Sequence, residues 1–277
     1  MLLVKTIDEL QRAKESIKGE DSIGFVPTMG ALHRGHLSLI QKAREENDIV
    51  IVSIFVNPTQ FLEGEDLESY PRREEADIKI CSVAKVDILF MPNIEEMYER
   101  DELKILAPST RGYILEGEKR PEHFDGMLQV VMKLLNLSSA TNAYFGKKDA
   151  QQLALITQMV KNYFIPCNIV PCDIVRDEQG LALSSRNAYL SEEERVEALK
   201  LSSSLHYATN MVISGERDCS IIIEKIDNIV KGEMVEVEYI SIVTREFKPL
   251  ENIEVGNSMI LLAIWVGNTR LIDNIWL

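Results

Sequence analysis

Short apolar, β-branched runs alternate with stretches of helical periodicity over the first 175 residues. This alternation is typical of βαβ units that build a parallel sheet. The predicted strands are Ser22–Pro27, Ile49–Val56, Asp87–Met91, Ala143–Phe145 and Asn168–Val175. The predicted helices are His36–Glu46, Arg72–Ala84, Asp125–Asn136 and Ala150–Phe164, with a less regular stretch from Pro92 to His123. The pattern predicts an α/β fold with a Rossmann-like, doubly wound parallel sheet.

The pattern changes after Asn187. The segment SEEERVEALKLSSSLHYATNMV opens with a serine and three glutamates, which is a typical start of a capped helix. Two helices there precede two strand-like runs, Val235–Val243 and Ser258–Val266. Helices followed by separate strands favour a smaller C-terminal α+β domain, so we predict two domains, residues 1–175 and 176–277.

Charge and hydropathy exclude several classes of function. The chain has 30 Lys and Arg against 44 Asp and Glu, a formal net charge of −14, which disfavours nucleic acid as a partner. The longest apolar runs, Ile49–Val56 and Met259–Val266, are far shorter than the roughly 20 residues that span a bilayer. The amphipathic, charged N-terminus lacks the pattern of a signal peptide. We therefore expect a cytoplasmic protein with no membrane partner.

The cysteines agree with a reducing compartment. The chain has four of them, and they form neither a C-x-x-C pair nor a Cys/His cluster with zinc-like spacing. We expect buried free thiols.

The loop after the first predicted strand has the strongest chemical signal. In a parallel sheet the ligand crevice lies at the carboxyl ends of the strands, and two of the four histidines, His33 and His36, lie there at a helix start. A helix N-terminus attracts anions, while Gly30 and Gly35 allow the backbone to approach a phosphate. The loop therefore predicts a phosphate site to which the imidazoles add directed donors.

Other nucleotide and catalytic motifs are missing from the chain. Gly30 and Gly35 have the spacing of a P-loop, but His36 and Leu37 stand where Lys and a hydroxyl residue are required. The chain also lacks G-x-G-x-x-G, H-E-x-x-H and G-x-S-x-G.

The segment PTMGALHRGHLSLI resembles the H-x-G-H signature of the nucleotidyltransferase superfamily, which class I aminoacyl-tRNA synthetases share. Over nearly its full length, the chain resembles the pantoate–β-alanine ligase family. The further motifs are FVNPTQF at 55–61, D-x-x-x-YPR at 66–72, RPEHFDG at 120–126, AYFGKKDAQQ at 143–152 and GLALSSRN at 180–187.

The resemblance implies an ATP-dependent condensation of (R)-pantoate with β-alanine through a pantoyl adenylate. The products would be pantothenate, AMP and pyrophosphate, as a step of coenzyme A biosynthesis. It further implies Mg²⁺ accompanying ATP and a cytoplasmic homodimer. The first domain would bind ATP and pantoate, and the second would close over the active site.

The resemblance also assigns residues. His36 is implied as the proton donor, and the other expected catalytic residues are His33, Lys148 and Arg186. The implied ATP contacts are Met29, Gly30, His33, His36, Gly146, Lys147, Lys148, Asp149, Val175, Leu183, Ser184, Ser185 and Arg186. Gln60 and Gln152 are implied for pantoate, with Gln60 also facing β-alanine, and the magnesium ligands stay unassigned.

These roles suit the chemistry. Attack of a carboxylate on the α-phosphorus builds negative charge, so the site needs fixed donors such as His36, Lys148 and Arg186 rather than a strong base. The carboxylate is already ionised near neutral pH. A glutamine amide can both donate to and accept from the hydroxyls of pantoate.

Three positions depart from the family pattern. Glu122 stands where Gly is common, so either the backbone there does not need a positive φ or the loop differs. Lys147 replaces a usual Glu and adds positive charge. The turn Asp177–Gly180 replaces a commoner acidic-x-Asp-Gly sequence.

Three alternatives stay open at this point. A nucleotidylyltransferase would share the H-x-G-H loop but has no use for two substrate glutamines or a second domain. A class I tRNA synthetase is disfavoured by the net charge of −14. A catalytically silent nucleotide-binding regulator would lack turnover.

Overall fold

Residues 1–277 are described by a computed structural model and divide into two units. The first unit is Met1–Lys147 with Gln151–Asp173, and the second is Lys148–Ala150 with Ile174–Leu277. This division differs from the predicted domain boundary at residues 148–150, 174 and 175.

The first unit contains a six-stranded parallel sheet, which confirms the predicted fold class. Its strands are β1 (Leu2–Val4), β2 (Ile23–Thr28), β3 (Ile49–Ile54), β4 (Ile88–Phe90), β5 (Asn142–Gly146) and β6 (Asn168–Cys172). The order is β1-β4-β3-β2-β5-β6. The sequence analysis missed β1, because three residues with two exposed leucines carry no strand periodicity.

Seven helices connect these strands. They are α1 (Ile7–Lys14), α2 (Arg34–Glu46), α3 (Glu74–Val83), α4 (Ile94–Met97), α5 (Glu116–Lys119), α6 (His123–Ser138) and α7 (Ala150–Asn162). The four predicted helices, which correspond to α2, α3, α6 and α7, are present with ends shifted by at most two residues. Helix α1 was not predicted, although Thr6 and Glu9 form a capping box at its start.

The strand order places a topological switch at β2. Strand β2 pairs with β3 on one side and with β5 on the other, both in parallel register. Residues that follow β2 and β5 therefore lie at the same edge of the sheet, where open α/β folds bind ligands.

Apolar residues cover both faces of the central strands. Phe25, Val26, Val50, Val52 and Tyr144 are almost fully buried. Burial on both faces explains why β3 reads as a continuous apolar run.

The second unit is a helical pair with an antiparallel sheet, and the predicted α+β character is confirmed. Its elements are α8 (Glu192–Ile213), α9 (Cys219–Val230), β7 (Val235–Thr244), β8 (Ser258–Val266) and β9 (Thr269–Trp276). Leu201, Ile222, Ile260 and Leu262 belong to one buried cluster. Strand β9 was not predicted, although a two-residue turn joins it to β8.

Candidate active site

The loop after β2 is held from two directions. The Thr28 hydroxyl donates to the carbonyl of Ser53 at 2.8 Å and accepts from the Gly30 N–H at 3.3 Å. On α3, the carboxylate of Asp77 accepts from the N–H groups of Ala31 and Leu32, both at 2.8 Å. Hydrogen bonds from β3 and α3 therefore stabilise the conformation of the loop.

Asp77 is a buried acid that sequence reasoning missed. Its residue surface is 1% exposed, and burial raises its pKa although its two backbone hydrogen bonds act in the opposite direction. Gly30 has a φ of +87°, and a Cβ there would lie 3.1 Å from Asp77 Oδ2 and from Ile54 Cγ2. Glycine is therefore required for both conformation and space.

His33 and His36 form a reciprocal cap on α2. His33 is the N-cap, and its Nδ1 accepts from the Gly35 N–H at 3.1 Å. The His33 N–H in turn donates to His36 Nδ1 at 3.3 Å. The ring centroids are 4.1 Å apart. The helix consequently begins at Arg34, two residues before the predicted start.

This cap determines the tautomers of the two rings. A neutral imidazole whose Nδ1 accepts a hydrogen bond carries its proton on Nε2. Because Nδ1 accepts in both rings, His33 and His36 carry Nε2–H donors near the N-terminus of α2. Both residues are partly exposed. Such donors suit a phosphate.

Gln60 lies in a 3₁₀ turn, Pro58–Gln60, directly after β3, and is buried. Its Oε1 accepts from Asn57 Nδ2 at 3.1 Å, and its Nε2 donates to Met29 Sδ at 3.3 Å. The structure thus brings together Met29, predicted for ATP, and Gln60, predicted for pantoate.

Asn57 is a further buried residue of this site that received no predicted role. Its Oδ1 accepts from the hydroxyls of Tyr98 at 2.7 Å and Thr59 at 3.0 Å. Its Nδ2 also donates to the carbonyl of Gly126 in α6 at 3.1 Å. The Asn-Pro dipeptide after a buried strand signals a turn, but not these long-range bonds.

The two glutamines at the start of α7 differ. Gln152, predicted for pantoate, is partly exposed in the first turn. Gln151 is buried, and its amide bonds to the Glu116 N–H and to the carbonyls of Arg111 and Ile114. Gln151 therefore holds the preceding loop and has a structural role.

Gly146 ends β5, and Lys147 follows it. The Lys147 ammonium lies 2.6 Å from Asp173 Oδ1. The hydrogen bond and charge of Lys147 lower the pKa of the exposed Asp173 carboxyl. The positive charge that Lys147 adds to the family pattern is thus partly offset within the first unit.

The other predicted ATP residues belong to the second unit. Lys148 Nζ lies 3.5 Å from Asp149 Oδ1, and the Lys148 carbonyl accepts from Asn274 Nδ2 at 2.7 Å. Asn274, on β9, therefore fixes the backbone of Lys148.

A tight hairpin carries Val175 and Leu183. The Leu183 N–H donates to the Val175 carbonyl at 2.9 Å. In the turn Asp177–Gly180, whose sequence differs from the family pattern, Asp177 Oδ1 accepts from two backbone N–H groups and Gly180 has a φ of +100°. Asp177 also forms an ion pair with Arg195 on α8. The Asp177–Gly180 sequence thus builds its own stable turn.

Ser184 begins the 3₁₀ helix Ser185–Tyr189. Its hydroxyl accepts from the Arg186 N–H at 3.3 Å. Ser185 and Arg186 are both partly exposed. The segment Ser184–Arg186 is therefore a capped turn that carries a cationic side chain near its N-terminal end.

The structure shows which backbone conformation Glu122 adopts, a question that the sequence left open. Glu122 is the N-cap of α6 and has a φ of +66°. The position where the family commonly has Gly does have the left-handed conformation, so the idea that it needs no positive φ is wrong. Glutamate occupies it with strain.

Metal-binding clusters and membrane-spanning helices are both absent from the structure. The chain has no group of three or more His, Cys, Asp or Glu side chains arranged to hold a metal ion. None of the helices is both long enough and apolar enough to span a membrane.

Comparison with known proteins places the chain in a family. The family model described as pantoate-beta-alanine ligase matches residues 2–276. The chain belongs to the pantoate–β-alanine ligase family. As a member of this family it is a ligase of pantothenate biosynthesis, and the predicted resemblance is confirmed. The nucleotidylyltransferase and tRNA synthetase alternatives are set aside.

Relatives in this family match over the full chain. The chain is 59% identical to the pantothenate synthetase of Aliarcobacter butzleri (strain RM4018) over 277 residues, covering 100% of both. It is 54% identical to that of Sulfurimonas denitrificans (strain ATCC 33889 / DSM 1251) over 275 residues, covering 99% of this chain and 100% of the relative.

Solved structures of the pantoate–β-alanine ligase family have the same fold. A crystal structure of pantothenate synthetase from Thermus thermophilus has a TM-score of 0.94 and 38% identity, with 99% of each chain covered. Pantoate-beta-alanine ligase from Francisella tularensis, solved in complex with beta-gamma ATP and beta-alanine, has a TM-score of 0.83 and 38% identity. That match covers 100% of this chain and 97% of the other.

Proposed function

We propose that this family member condenses (R)-pantoate with β-alanine, using ATP, through a pantoyl adenylate. The products are pantothenate, AMP and pyrophosphate. The observation that carries this proposal is the reciprocal cap of His33 and His36 after β2, which directs two imidazole donors to a helix N-terminus. The Francisella tularensis relative, solved with beta-gamma ATP and beta-alanine, supports the choice of substrates.

In the first step, the pantoate carboxylate attacks the α-phosphorus of ATP and pyrophosphate leaves. The backbone of Met29 and Gly30 approaches the nucleotide, and the Nε2–H groups of His33 and His36 donate to phosphate oxygens. His36 is the proposed proton donor to the leaving group in the sense of a hydrogen-bond donor: its Nε2–H bonds to the departing pyrophosphate oxygen and keeps its proton, because a neutral imidazole that lost it would become an imidazolate. Fixed donors of this kind stabilise charge that develops in the transition state.

The remaining phosphate contacts are assigned to the other predicted residues. Lys148 and Arg186 add positive charge, and Ser184 and Ser185 add hydroxyl and N–H donors. The other proposed ATP contacts are Gly146, Lys147, Asp149, Val175 and Leu183.

Gln60 and Gln152 are the proposed pantoate ligands, with Gln60 also facing β-alanine. The Gln60 amide is oriented because Asn57 occupies its Oε1. Its Nε2 donates to a thioether, which is a weak acceptor. A hydroxyl or carboxylate oxygen of pantoate is a better acceptor and would replace it.

In the second step, the amine of β-alanine attacks the acyl adenylate and AMP leaves. This step needs proximity rather than an enzyme nucleophile. Burial raises the pKa of Cys81 to about 12 and of Cys167, Cys172 and Cys219 to about 11, so none of the four buried thiols is an activated nucleophile.

Mg²⁺, the homodimer and the cytoplasmic location are proposed on the family resemblance. The chain offers no carboxylate or histidine cluster as a resident magnesium site, so we propose that Mg²⁺ enters bound to the phosphates of the ATP substrate. Light scattering of the purified protein tests the homodimer.

Isotope exchange tests the adenylate. Labelled pyrophosphate should enter ATP when pantoate and Mg²⁺ are present and β-alanine is absent, and exchange should stop without pantoate. A requirement for β-alanine, or release of ADP and phosphate, would contradict the acyl-adenylate mechanism. Absence of both pyrophosphate exchange and condensation when ATP, pantoate and β-alanine are all present would favour the alternative of a catalytically silent nucleotide-binding regulator.

A further inference from the structure

The RPEHFDG motif at 120–126 has no role in the proposed chemistry, yet two of its side chains, Arg120 and His123, contact the Gln60 carbonyl. The first turn of α6 packs directly on the turn Pro58–Gln60. A Cβ at Gly126 would lie 2.1 Å from the carbonyl oxygen of Thr59, so glycine is what permits this approach.

His123 contacts Gln60 through the backbone. Its Nδ1 lies 2.6 Å from the Gln60 carbonyl oxygen, and its Nε2 lies 3.1 Å from Arg120 Nη1. Because a guanidinium can only donate, Nε2 must accept. The proton is then on Nδ1, and His123 donates to Gln60.

Arg120 is held in turn by Glu65. Its Nε and Nη2 lie 2.6 Å from the two Glu65 carboxylate oxygens, which is a bidentate pair. Arg120 Nη2 also donates to the Gln60 carbonyl at 3.3 Å. The pair leaves Arg120 Nη1 aimed at the histidine.

We propose that His123 is a positioning residue that orients Gln60 for pantoate, and that the Glu65–Arg120 pair selects the His123 tautomer that can do so. The proposal rests on the proposed binding of pantoate by Gln60.

The electrostatics of the cluster formed by Glu65, Arg120, His123 and Gln60 agree with a neutral His123. Burial, followed by the charge of Arg120, lowers the pKa of His123 to about 4, although the hydrogen bond to the Gln60 carbonyl and then the charges of Glu65 and Glu116 act in the opposite direction. Burial acts to raise the pKa of Glu65, but its hydrogen bond and charge interaction with Arg120 outweigh this and lower it. At neutral pH, Glu65 is thus a carboxylate, Arg120 a guanidinium and His123 a neutral imidazole.

Two amide substitutions at His123 distinguish the role of Nδ1 from the role of Nε2. In His123→Asn the amide nitrogen stands near the position of Nδ1 and keeps a donor for Gln60. In His123→Gln the longer side chain places its amide oxygen near the position of Nε2, where it accepts from Arg120, so that contact is kept and the donor to Gln60 is lost. Arg44→Met is the matched control, because Arg44 pairs with Asp87 at 2.6 Å in the same unit and takes no part in the cluster.

The readout is pantoate KM in the exchange assay, with ATP affinity measured by calorimetry. We expect pantoate KM to rise about tenfold in His123→Gln, as for one lost buried hydrogen bond, with unchanged ATP affinity. His123→Asn should stay within about threefold of the parent protein. Arg44→Met should lower the melting temperature without moving pantoate KM.

Equal rises in the two His123 variants, or a rise in Arg44→Met as large as in His123→Gln, would show a merely structural effect and overturn the proposal. A pantoate KM unchanged in His123→Gln would do the same.

Nitrogen-15 NMR of the histidine-labelled full chain gives a reading that needs neither turnover nor a stable His123→Gln variant. The His123 resonance, assigned by its loss in His123→Asn, should show the Nδ1–H tautomer at pH 7. An Nε2–H tautomer or a protonated ring would overturn the proposal. Absence of pantoate-dependent exchange in the parent protein would instead reject the proposed function, so the two can fail separately.

Discussion

His33 and His36 cap each other across the first turn of α2. His33 accepts from the Gly35 N–H, while the His33 N–H donates to the ring of His36. Serine and glutamate usually fill this pair of positions. Two histidines close the same hydrogen bonds with Nδ1, which places the ring protons on Nε2, so one arrangement both starts the helix and sets the tautomer of both rings.

The cap predicts different outcomes for two changes at His36. His36→Ala removes the cap and the donor, so it should lower stability by about 0.5–2 kcal/mol as well as kcat by on the order of 10²–10³. His36→Asn keeps an acceptor near the Nδ1 position and lacks Nε2, so it should lower kcat similarly with little loss of stability. Thermal unfolding and steady-state kinetics measure the two effects. Near parental kcat in either variant would remove His36 from the mechanism.

Gln60→Ala and Gln152→Ala should impair pantoate more than ATP. Each removes a proposed amide contact, worth about 1–3 kcal/mol in a desolvated site. Calorimetry without pantoate should show nearly parental ATP affinity, whereas pantoate KM in the exchange assay should rise at least about fivefold. Gln151→Ala is the neighbouring control, since Gln151 bonds to the Arg111–Glu116 loop and should mainly lower stability. A large loss of ATP affinity in Gln60→Ala would contradict the assignment.

Asp77→Asn should impair ATP binding and turnover, although Asp77 lies in α3 and not in the loop after β2. Both Asp77 oxygens accept backbone N–H groups, and an amide can accept only one of them, so a buried N–H loses its partner at about 1–3 kcal/mol. We expect ATP KM to rise and kcat to fall, measured at saturating pantoate. Asp87→Asn is the control, because Asp87 accepts from the Val50 N–H and pairs with Arg44 outside the loop. If both variants change ATP KM alike, Asp77 has no special role in the loop.

Glu122→Gly should leave stability unchanged or raise it by up to about 1.5 kcal/mol. Relief of the left-handed backbone is worth about 1–2 kcal/mol, and the greater chain entropy of glycine offsets about 0.5–1 kcal/mol. Glu118→Gly, at an exposed position inside α5, should destabilise by a similar amount. Urea unfolding of both variants checks the difference. A clear destabilisation by Glu122→Gly would show that the glutamate side chain itself stabilises the fold.

His123 should make stability depend on acid pH. Its pKa is lowered from 6.5 to about 4, so the folded state binds fewer protons than the unfolded state between those values. Its contribution is complete above about pH 6.5 and is lost as pH falls toward 4. Between pH 7 and 4.5, His123→Asn should lose on the order of 2 kcal/mol less unfolding free energy than the parent protein. Parallel pH profiles would contradict a neutral buried His123.

The sequence by itself determined the class of fold and the location of the chemistry. Buried parallel strands are apolar along their whole length, so Ile49–Ile54 was recognisable locally, and helix periodicity identified α2. Since ligands bind at the carboxyl ends of such strands, His33 and His36 could be selected as candidates from the sequence, and the family resemblance added Gln60.

Tertiary structure alone decided what holds those candidates. Asp77 lies 45 residues from Leu32 along the chain, and the sequence shows it as one more acid at a helix start. The Glu65–Arg120 pair joins residues 55 positions apart, and the left-handed backbone at Glu122 contradicts what its residue type predicts. Periodicity reports which positions are buried, because burial repeats with the local backbone geometry. Which polar groups meet depends on how distant elements pack, and that has no local signal in the chain.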